Sequence, residues 1–332
     1  MNNLDDYVED ITELLTPTGW KFKSEITEQD TVVQWLENGT MEFVNPTYIS
    51  STVFPSTIKV SNHQNHINQV ITPKQNLLYE QGGVLHMARA LDLEKIRNRN
   101  TSNCINAGVL AEEGVGLSVR ERILVAIQAD GSFNSPSKRT GERIGAVPAC
   151  FTFAKERKSE RLISLATEAG LRLDDRKIDK RGRQNWALYI PSSDQNIWPR
   201  DKKLPSIANL NTVSLKWCQE FIEEISLWDG HLNRENSNRI VWKCIDGDNA
   251  NYVQMVASLA GYRTHFAKKQ DHRSEKYSDV YNVLITRHRN STSIQSVKAE
   301  VFNVPTRLYK VDVPSGYVLV RREGAVSIAT TF

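Results

Sequence analysis

Cysteine is scarce in this chain of 332 residues, and its positions are widely separated. The four residues are Cys104, Cys150, Cys218 and Cys244, so no two of them have the C-x-x-C spacing. That spacing is typical of zinc sites and of redox-active thiol pairs. The pattern therefore predicts four reduced thiols in a reducing compartment, and no zinc site built from cysteines.

Long apolar segments are also lacking. Runs such as Ile123–Ile127 are far shorter than the ~20 residues that a helix needs to cross a bilayer. The first residues are acidic, whereas a secretory signal peptide starts with basic residues. We therefore expect the protein to act in the cytoplasm of its host, at the nucleoid.

Neither sign of charge dominates, since the formal net charge is +3. The charges are nevertheless segregated along the chain. Residues 96–296 contain 31 basic and 23 acidic residues, whereas the two flanks together contain 11 basic and 16 acidic ones. A basic middle between acidic ends predicts that the middle binds a polyanion.

Strand-like patterns occupy both ends of the chain. Thr31–Glu37 and Thr40–Val44 flank Asn38-Gly39, a typical hairpin turn, and Val70–Tyr79 is a further apolar stretch. The last ~36 residues contain short strand-like runs separated by glycine turns. We predict one β-rich domain that is interrupted by an α/β insert, with joins near 95–115 and 290–300. The predicted segments are 1–95, 96–296 and 297–332.

The middle segment contains a diverged internal repeat, over about 115–200 and 205–295. In each copy a helical pattern ends in Asp-Gly, strands follow, and a second helical pattern ends at Gly170 or Gly261, as suits a left-handed helix C-terminus. Such repeats imply pseudo-twofold symmetry. The four predicted helices are Ser118–Ala129, Ser159–Ala169, Ser214–Trp228 and Asn251–Ala260.

The first helix of each copy leads to an aspartate, Asp130 or Asp229. A Ser-Val-Arg-Glu capping-box pattern marks the start of the earlier helix. The last carbonyls of a helix have no partner within it, so a carboxylate beside them makes an oxygen-rich site for Mg²⁺ or Mn²⁺. Packing of the two helices about the pseudo-twofold would bring both carboxylates together with the carbonyls of Ala129 and Trp228. Such a site suits metal-assisted phosphodiester hydrolysis.

Two segments that contain these aspartates resemble a known family. Leu124–Gly131 reads Leu-Val-Ala-Ile-Gln-Ala-Asp-Gly and resembles the first LAGLIDADG motif of homing endonucleases, and Phe221–His231 resembles the second. The resemblance implies an α+β fold of two pseudo-twofold αββαββ repeats, whose strands form a saddle on the DNA major groove. It also implies that Asp130 and Asp229 bind a divalent metal ion and that both strands of a long target site are cut.

Basic residues follow the second helix of both copies, where the resemblance implies a DNA-binding surface. Arginine and lysine on strands can contact phosphates or guanine edges. The predicted DNA-binding residues are Arg139, Arg176, Lys177, Lys180, Arg181, Arg183, Lys268, Lys269, Arg273, Lys276, Arg287 and Arg289. Between the motifs, Lys203-Leu204-Pro205 resembles the segment that often carries the catalytic lysine of the family, and we expect Lys203 rather than Lys202 to act near a phosphate.

The second motif departs from the family pattern at two positions. Glu224 occupies a place where glycine usually lets the two helices approach closely, and Trp228 replaces a small residue. These departures are compatible with an asymmetric interface between the two helices. They are also compatible with a protein that nicks one DNA strand, or that binds DNA without cutting it.

The flanks together resemble the Hint domain of inteins, through blocks that begin at Thr12, Val70, Leu308 and Gly324. Protein splicing needs nucleophilic side chains at both junctions, an activating histidine and a terminal asparagine. The positions that correspond to these groups are occupied by Tyr7, Gln75, Thr331 and Phe332. We therefore predict a Hint-like scaffold without splicing activity.

The sequence thus predicts a monomeric, site-specific endonuclease for double-stranded DNA, with a long pseudo-palindromic or asymmetric target, encoded by a mobile element of a phage or microbial genome. Four alternatives stay open at this point. One is a sequence-specific DNA-binding protein that has lost cleavage, and another is an RNA-binding maturase, a role that also occurs on the LAGLIDADG fold. The others are an active intein and a two-domain protein with no nucleic-acid role, which would make the internal repeat a coincidence.

Overall fold

The computed structural model describes residues 7–97, 102–111, 114–133, 147–191, 202–228, 230–233, 236–270 and 279–331. Within these ranges, five α-helices accompany 25 strands. The predicted α+β class is confirmed, and strands predominate. None of the described helices is long and apolar enough to span a membrane.

The N-terminal elements are ten strands and a short helix. In chain order they are β1 (Val8–Glu9), β2 (Glu13–Thr16), β3 (Gly19–Phe22), β4 (Val32–Trp35), β5 (Thr40–Val44), β6 (Tyr48–Phe54), β7 (Thr57–Asn62), β8 (Asn68–Ile71), β9 (Asn76–Gln81), β10 (Val84–Arg89) and α1 (Leu93–Arg97).

The middle segment begins with β11 (Ser102–Ile105) and β12 (Val109–Leu110). The first repeat contains α2 (Val119–Asp130), β13 (Ser132–Phe133), β14 (Val147–Phe153), α3 (Glu156–Glu168), β15 (Leu173–Arg176) and β16 (Gln184–Ile190). The second contains α4 (Leu215–Trp228), β17 (Gly230–Asn233), β18 (Asn236–Cys244), α5 (Gly247–Leu259), β19 (Arg263–Lys269) and β20 (Val280–Thr286). The C-terminal strands are β21 (Ser291–Ser293), β22 (Val297–Phe302), β23 (Thr306–Asp312), β24 (Tyr317–Arg322) and β25 (Ala325–Thr330).

The two repeats have the same sheet topology. The first forms a four-stranded antiparallel sheet in the order β13-β14-β16-β15, and the second has the order β17-β18-β20-β19. The second sheet does not end at β19, because His265 pairs with Ala325 of β25. It therefore continues into the strands of the chain ends, in a sheet of 11 strands.

The N- and C-terminal strands fold together. Strand β23 lies between β1 and β6, β22 pairs with β7, and β24 pairs with β2 and β4. We call the elements from β1 to α1, together with β21–β25, the outer part of the molecule. A large apolar core joins the helices of both repeats, and two smaller cores lie within the outer part.

Local signals explain most element boundaries. Ser118 accepts a hydrogen bond from the Glu121 amide while the Glu121 carboxylate accepts one from the Ser118 amide, so the predicted capping box is present. Gly170 and Gly261 have positive φ values of 63° and 85°, as expected for their helix ends. Helix α5 begins four residues earlier than predicted, because the Asp246 carboxylate caps its N-terminus.

The predicted stretch Val70–Tyr79 is not one strand. It divides into the end of β8 and the start of β9, since the amide of Gln75 donates to the carbonyl of Thr72 and closes a turn. Pro73 within that turn has no amide hydrogen to contribute to a strand ladder.

Candidate cleavage site and nucleic-acid interface

The first helices of the two repeats, α2 and α4, pack along each other through polar contacts. Trp217 donates from Nε1 to Oε1 of Glu121 over 2.9 Å. Arg122 forms a 2.6 Å ion pair with Glu220, whose carboxylate also accepts from the amide of Leu117. The helices that carry the two motifs are therefore neighbours.

Glu224 lies inside this helix interface and is fully buried. It accepts hydrogen bonds from Nε1 of Trp228 at 2.9 Å, from Nη1 of Arg122 at 3.1 Å and from Nε of Arg161 at 3.1 Å. The hydrogen bond from Arg161 raises the pKa of that guanidinium above its ordinary value. The two departures from the family pattern, Glu224 and Trp228, thus bond to each other and are matched by arginines of the first repeat.

A glycine follows the end of α2 and of α4 for steric reasons. A Cβ atom on Gly131 would lie 2.7 Å from the Cα of Ile127, and one on Gly230 would lie 2.6 Å from the Cα of Ser226. Gly131 has an ordinary φ of −79°, so the end of α2 does not depend on a left-handed conformation there. At both positions the backbone passes too close to the last turn of the preceding helix to leave room for a side chain.

Asp130 is the last residue of α2, as predicted for the earlier motif. Its carboxylate forms an ion pair with Lys158, in the first turn of α3. The adjacent residue, Arg157, donates to the backbone carbonyl of Leu227 at the end of α4. Two consecutive residues of one helix therefore contact the C-terminal ends of both motif helices. Asp229, the second predicted carboxylate, lies outside the described residues.

The predicted metal ligands are oxygen atoms, which are the donors that Mg²⁺ and Mn²⁺ prefer. They are the Asp130 carboxylate, the carbonyls of Ala129 and Trp228, and Asp229. The donor chemistry fits such an ion, although one Asp130 oxygen is engaged by Lys158. Among the described residues, no group of three or more histidines, cysteines or carboxylates is placed to hold a metal ion.

Lys203 lies at the start of α5. Its ammonium forms ion pairs with Asp246 at 2.5 Å and with Asp248 at 3.1 Å. These hydrogen bonds raise the pKa of Lys203, so the side chain stays protonated. The next residue, Leu204, donates its amide to Asn249 of the same helix. The segment that contains the predicted catalytic lysine is thus bonded to α5 through Lys203 itself and through the next residue, Leu204.

The predicted DNA-binding residues of the first repeat surround the hairpin between β15 and β16. Arg183 pairs with Asp179 at 2.6 Å, and its hydrogen bonds lower the pKa of Asp179 to about 2. The other basic side chains of this hairpin are exposed: Arg176, Lys177, Lys180 and Arg181. Arg139 lies outside the described residues.

In the second repeat the predicted basic residues have different surroundings. Lys268 is exposed and pairs with Asp279 at 2.7 Å, and Lys269 and Arg289 are also exposed. Arg287 instead reaches the hydroxyl of Ser226 on α4 at 3.5 Å, on the helix side of the sheet. Arg273 and Lys276 lie outside the described residues.

Strand alternation identifies further residues on the outward face of each sheet, opposite the helices. In the first sheet, Thr152 and Asn185 share this face and bond to each other over 2.7 Å. In the second, Arg239 and Arg263 are both register partners of Thr286, from opposite sides. Prediction from the sequence missed these two arginines, although their two-residue alternation with apolar neighbours was a usable signal.

Prediction also missed the basic residues at the start of α3, of which Arg157 and Lys158 contact the helix ends. Lys155, Arg157 and Lys158 stand at the start of α3. Cations are unfavourable at a helix N-terminus, where the macrodipole is positive. That anomaly in the sequence indicates a nearby acceptor, which in the structure is the pair of C-terminal helix ends.

The positions that correspond to splicing residues lie in two places. Gln75 is buried and donates from Nε2 to the carbonyl of Thr330 over 2.5 Å. It lines a cavity of about 540 Å³ together with Thr331 and Tyr317. Tyr7 lies elsewhere, with the Arg307 guanidinium 4.2 Å from its ring centre. Phe332 lies outside the described residues.

No disulfide joins the four cysteines, all of which lie in the described ranges. Cys104 and Cys218 are buried, and burial raises the pKa of each thiol to about 12.

Comparison with known proteins gives one curated relative and several solved structures. No family model matches the chain. The relative is the ribonucleoside-diphosphate reductase subunit beta of Aquifex aeolicus, 24% identical, with the match covering 96% of this chain and 49% of the relative. This chain therefore spans about half the length of that protein.

The similar structures include an intein and LAGLIDADG proteins. A splice-inactive variant of the AceL NrdHF class 3 split intein matches with 12% identity, a TM-score of 0.36 and 99% coverage of both chains. The homing endonuclease I-DmoI in complex with DNA and Mn matches with 13% identity and a TM-score of 0.37, over 51% of this chain and 89% of that one. The N-terminal LAGLIDADG domain of WhiA matches with 11% identity and a TM-score of 0.34, over 52% and 80%. These values assign no family to the chain.

Proposed function

We propose that this protein is a site-specific endonuclease for double-stranded DNA, that it hydrolyses phosphodiester bonds with a divalent metal ion, and that it does not splice. One observation supports this most strongly: α2 and α4 are neighbours, and adjacent residues of α3 contact both of their C-terminal ends. Asp130 ends α2, and Asp229 directly follows α4. This supports the proposal that the two carboxylates act at one site.

The residues proposed to hold Mg²⁺ or Mn²⁺ are Asp130, Asp229 and the carbonyls of Ala129 and Trp228. When bound, a divalent ion supplies Lewis acidity to a phosphoryl oxygen and acidifies water. Lys158 keeps the Asp130 carboxylate in position before a cation binds. Lys203 carries a permanent charge, because its pKa is raised, and it stabilises negative charge on a phosphate instead of acting as a base.

The two four-stranded sheets are proposed to form the DNA-binding saddle. Their matched strand order supports pseudo-twofold contact with a long, pseudo-palindromic or asymmetric site by a single chain. The outward faces offer hydroxyl, amide and guanidinium groups, which can bind base edges and phosphates. Because many phosphates are contacted, we expect the affinity to fall steeply as the salt concentration rises.

The cleavage assay uses Mg²⁺ and a plasmid that carries the genomic locus beside the gene. We expect the wild type to cut both strands. Asp130→Asn and Asp229→Asn each reduce cutting at least about a hundredfold, a loss typical for removal of one group that stabilises a transition state, and both still bind the target. Asp92→Asn, at the partly exposed end of a short 3-10 helix of the outer part, is the matched control and cuts normally. Normal cutting by both motif variants would refute the assigned site.

A second candidate is a DNA-binding protein without cleavage, and the ion pair between Lys158 and Asp130 favours it, since the ammonium takes a metal-binding oxygen. The same assay separates the two, because this candidate predicts salt-dependent binding of the plasmid locus without cutting at any Mg²⁺ concentration. Competition by structured RNA that exceeds competition by duplex DNA would instead indicate a maturase.

The name of the curated relative suggests a third candidate function, ribonucleoside-diphosphate reduction. Half of that reductase subunit lies outside the match. We infer that the matched half is an element carried in addition to the reductase, and that this chain does not itself act as a reductase. The repeated helices and sheets, which belong to the matched part, support this inference. Conversion of ribonucleoside diphosphates to deoxyribonucleoside diphosphates by this chain would contradict it.

A further inference from the structure

Basic side chains collect where the second sheet meets the outer part of the molecule. Arg239 on β18 and Arg263 on β19 are partners of the same residue of β20, so they form one row on the outward face. His265 follows two residues after Arg263 and shares that face. All three side chains are partly exposed.

The outer part contributes the loop between β7 and β8 to this place. The ring of His66 lies 6.5 Å from that of His265, and His66 is only 4% exposed. Asn65 approaches His265 at 3.3 Å, and Asn106 donates to the carbonyl of His66 over 2.6 Å. The loop is therefore fixed against the row of basic residues, and its exposed residue His63 stands at the rim.

The positive charge of this group is only partly balanced, since in the part of the chain that the structure describes the two arginines face a single neighbouring carboxylate, that of Glu323. Within the described ranges, Arg239 and Arg263 form no ion pair, and their buried Nε atoms have no hydrogen-bond acceptor. Burial first, and then Arg263, His265, Arg239 and His63, lower the pKa of His66 to about 4. The carboxylate of Glu323, in the turn between β24 and β25, accepts a hydrogen bond from Asn68 over 2.7 Å, and Nη1 of Arg263 donates to the carbonyl of Ser291 over 2.9 Å. The two buried Nε donors are left without acceptors, which is unfavourable, so an anion is expected here.

We propose that Arg239, Arg263 and the His63–His66 loop form a binding site for a backbone phosphate of duplex DNA, so that the outer part binds the target together with the saddle. The proposal rests on the function proposed above. Duplex DNA is favoured as the source of the phosphate because the row lies on the outward face of the second sheet. A DNA that runs along both sheets would pass this junction. Arg289, exposed at the same end of the sheet, extends the basic surface.

The test measures binding of the full chain to a duplex of about 40 base pairs, roughly four helical turns, that contains the genomic locus. The affinity is determined over a range of salt concentrations for wild type, Arg239→Gln, Arg263→Gln and Arg263→Lys. Each glutamine variant should bind about tenfold more weakly at 0.1 M salt and lower the salt slope by about 1, as for the loss of one phosphate contact. Arg263→Lys should retain most of the affinity. Arg89→Gln removes the same charge from an exposed strand of the outer part and should bind like wild type.

A second variant does not depend on buried residues. His63→Glu adds a carboxylate to the exposed loop and should weaken binding severalfold, whereas Leu91→Glu, exposed elsewhere on the outer part, should not. Melting temperatures identify any variant that fails to fold.

The outcomes distinguish the two proposals. If wild type binds the duplex and His63→Glu and both glutamine variants bind equally well, the junction site is refuted while the saddle stands. If wild type shows no salt-dependent affinity for the duplex, the proposed function fails as well. Tighter binding of an RNA hairpin than of the duplex would overturn the assignment to DNA.

Discussion

The two repeats share a topology but differ in how they join the rest of the molecule. Among the described residues the sheet of the first repeat has four strands, whereas the sheet of the second continues through His265 and Ala325 into the outer part. Helix α5 is also bonded there, since Gln254 donates to the carbonyl of Gly324. The second repeat is thus built into the outer part, and the first contacts the molecule mainly through the helix interface.

The chemistry at the start of the second helices is reversed between the repeats. In the first, α3 supplies the cation Lys158 to the carboxylate that ends α2. In the second, α5 supplies the carboxylates of Asp246 and Asp248, and Lys203 from the preceding segment supplies the cation. The two repeats share the same order of strands in their sheets, whereas the charged groups at the starts of their second helices differ. We therefore expect the two halves of the proposed cleavage site to be unequal.

The largest effect should come from the interface between the repeats. Glu224→Ala leaves Arg122 and Arg161 without their buried partner, and we expect the free energy of unfolding to fall by about 3–5 kcal/mol. Urea unfolding measures this change. Glu223→Ala, exposed on the same helix, should change it by less than about 0.5 kcal/mol. Equal losses for the two variants would show that the repeats do not depend on the buried network.

The next effect concerns the contact of the second repeat with the outer part. The pKa of His66 is about 4 in the folded protein and 6.5 when unfolded, so between these values only the unfolded chain takes up the proton. The contribution to stability is present above pH 6.5 and is lost as the pH falls through about 4, on the order of 3 kcal/mol. His66→Gln should lack this part of the pH dependence in urea unfolding from pH 7 to 4. The exposed control His63→Gln should keep it, and identical curves for wild type and His66→Gln would contradict the burial argument.

A smaller effect, on the affinity for a metal ion, is expected when Lys158 beside the end of α2 is replaced. Lys158→Met removes the competitor for the Asp130 carboxylate, so Mn²⁺ should bind about tenfold more tightly in calorimetry without DNA, since a charge-assisted hydrogen bond contributes on the order of 1.5 kcal/mol. Lys155→Met, exposed at the same helix start, is the control. Unchanged or weaker Mn²⁺ binding by Lys158→Met would mean that this lysine does not compete with the metal ion.

The smallest effect on stability is expected for the corresponding cation of the second repeat. Lys203 and its partners are partly exposed, so Lys203→Met should lower the free energy of unfolding by less than about 1 kcal/mol. Cleavage should nevertheless fall about a hundredfold if this ammonium acts on a phosphate. Lys202→Met tests the choice between the neighbouring lysines. A larger loss of cleavage for Lys202→Met would reverse our assignment.

Prediction from the sequence succeeded where the cause is local. The capping box at Ser118 and the left-handed glycines at 170 and 261 depend on a few neighbouring residues, and all are present. A hairpin also forms at Asn38-Gly39, but its turn spans residues 36–39 instead of two residues, because the amide of Gly39 donates to the carbonyl of Leu36. The domain boundaries and the roles of the site residues stay predictions.

The features that could not be predicted from the sequence are tertiary contacts. The arginines that donate to Glu224, and the acceptors of Arg157 and Lys158, lie tens of residues away in the chain, so nothing in the local pattern identifies them. The orientation of Arg287 toward α4 depends in the same way on which face of β20 meets the helices. The continuation of the second sheet into β25 joins residues 60 positions apart.

The most direct test of the account is the distance between the two motif carboxylates. Asp130→Cys and Asp229→Cys are combined in a chain whose Cys150 and Cys244 are replaced by serine, and a short bismaleimide is added to the folded protein. We predict rapid intramolecular cross-linking, read by mass spectrometry. The control pair Asp130→Cys with Leu215→Cys, at the opposite end of α4 and about 20 Å farther along its axis, should not react. Cross-linking of the control pair alone, or of neither pair, would show that the helices do not bring Asp130 and Asp229 together.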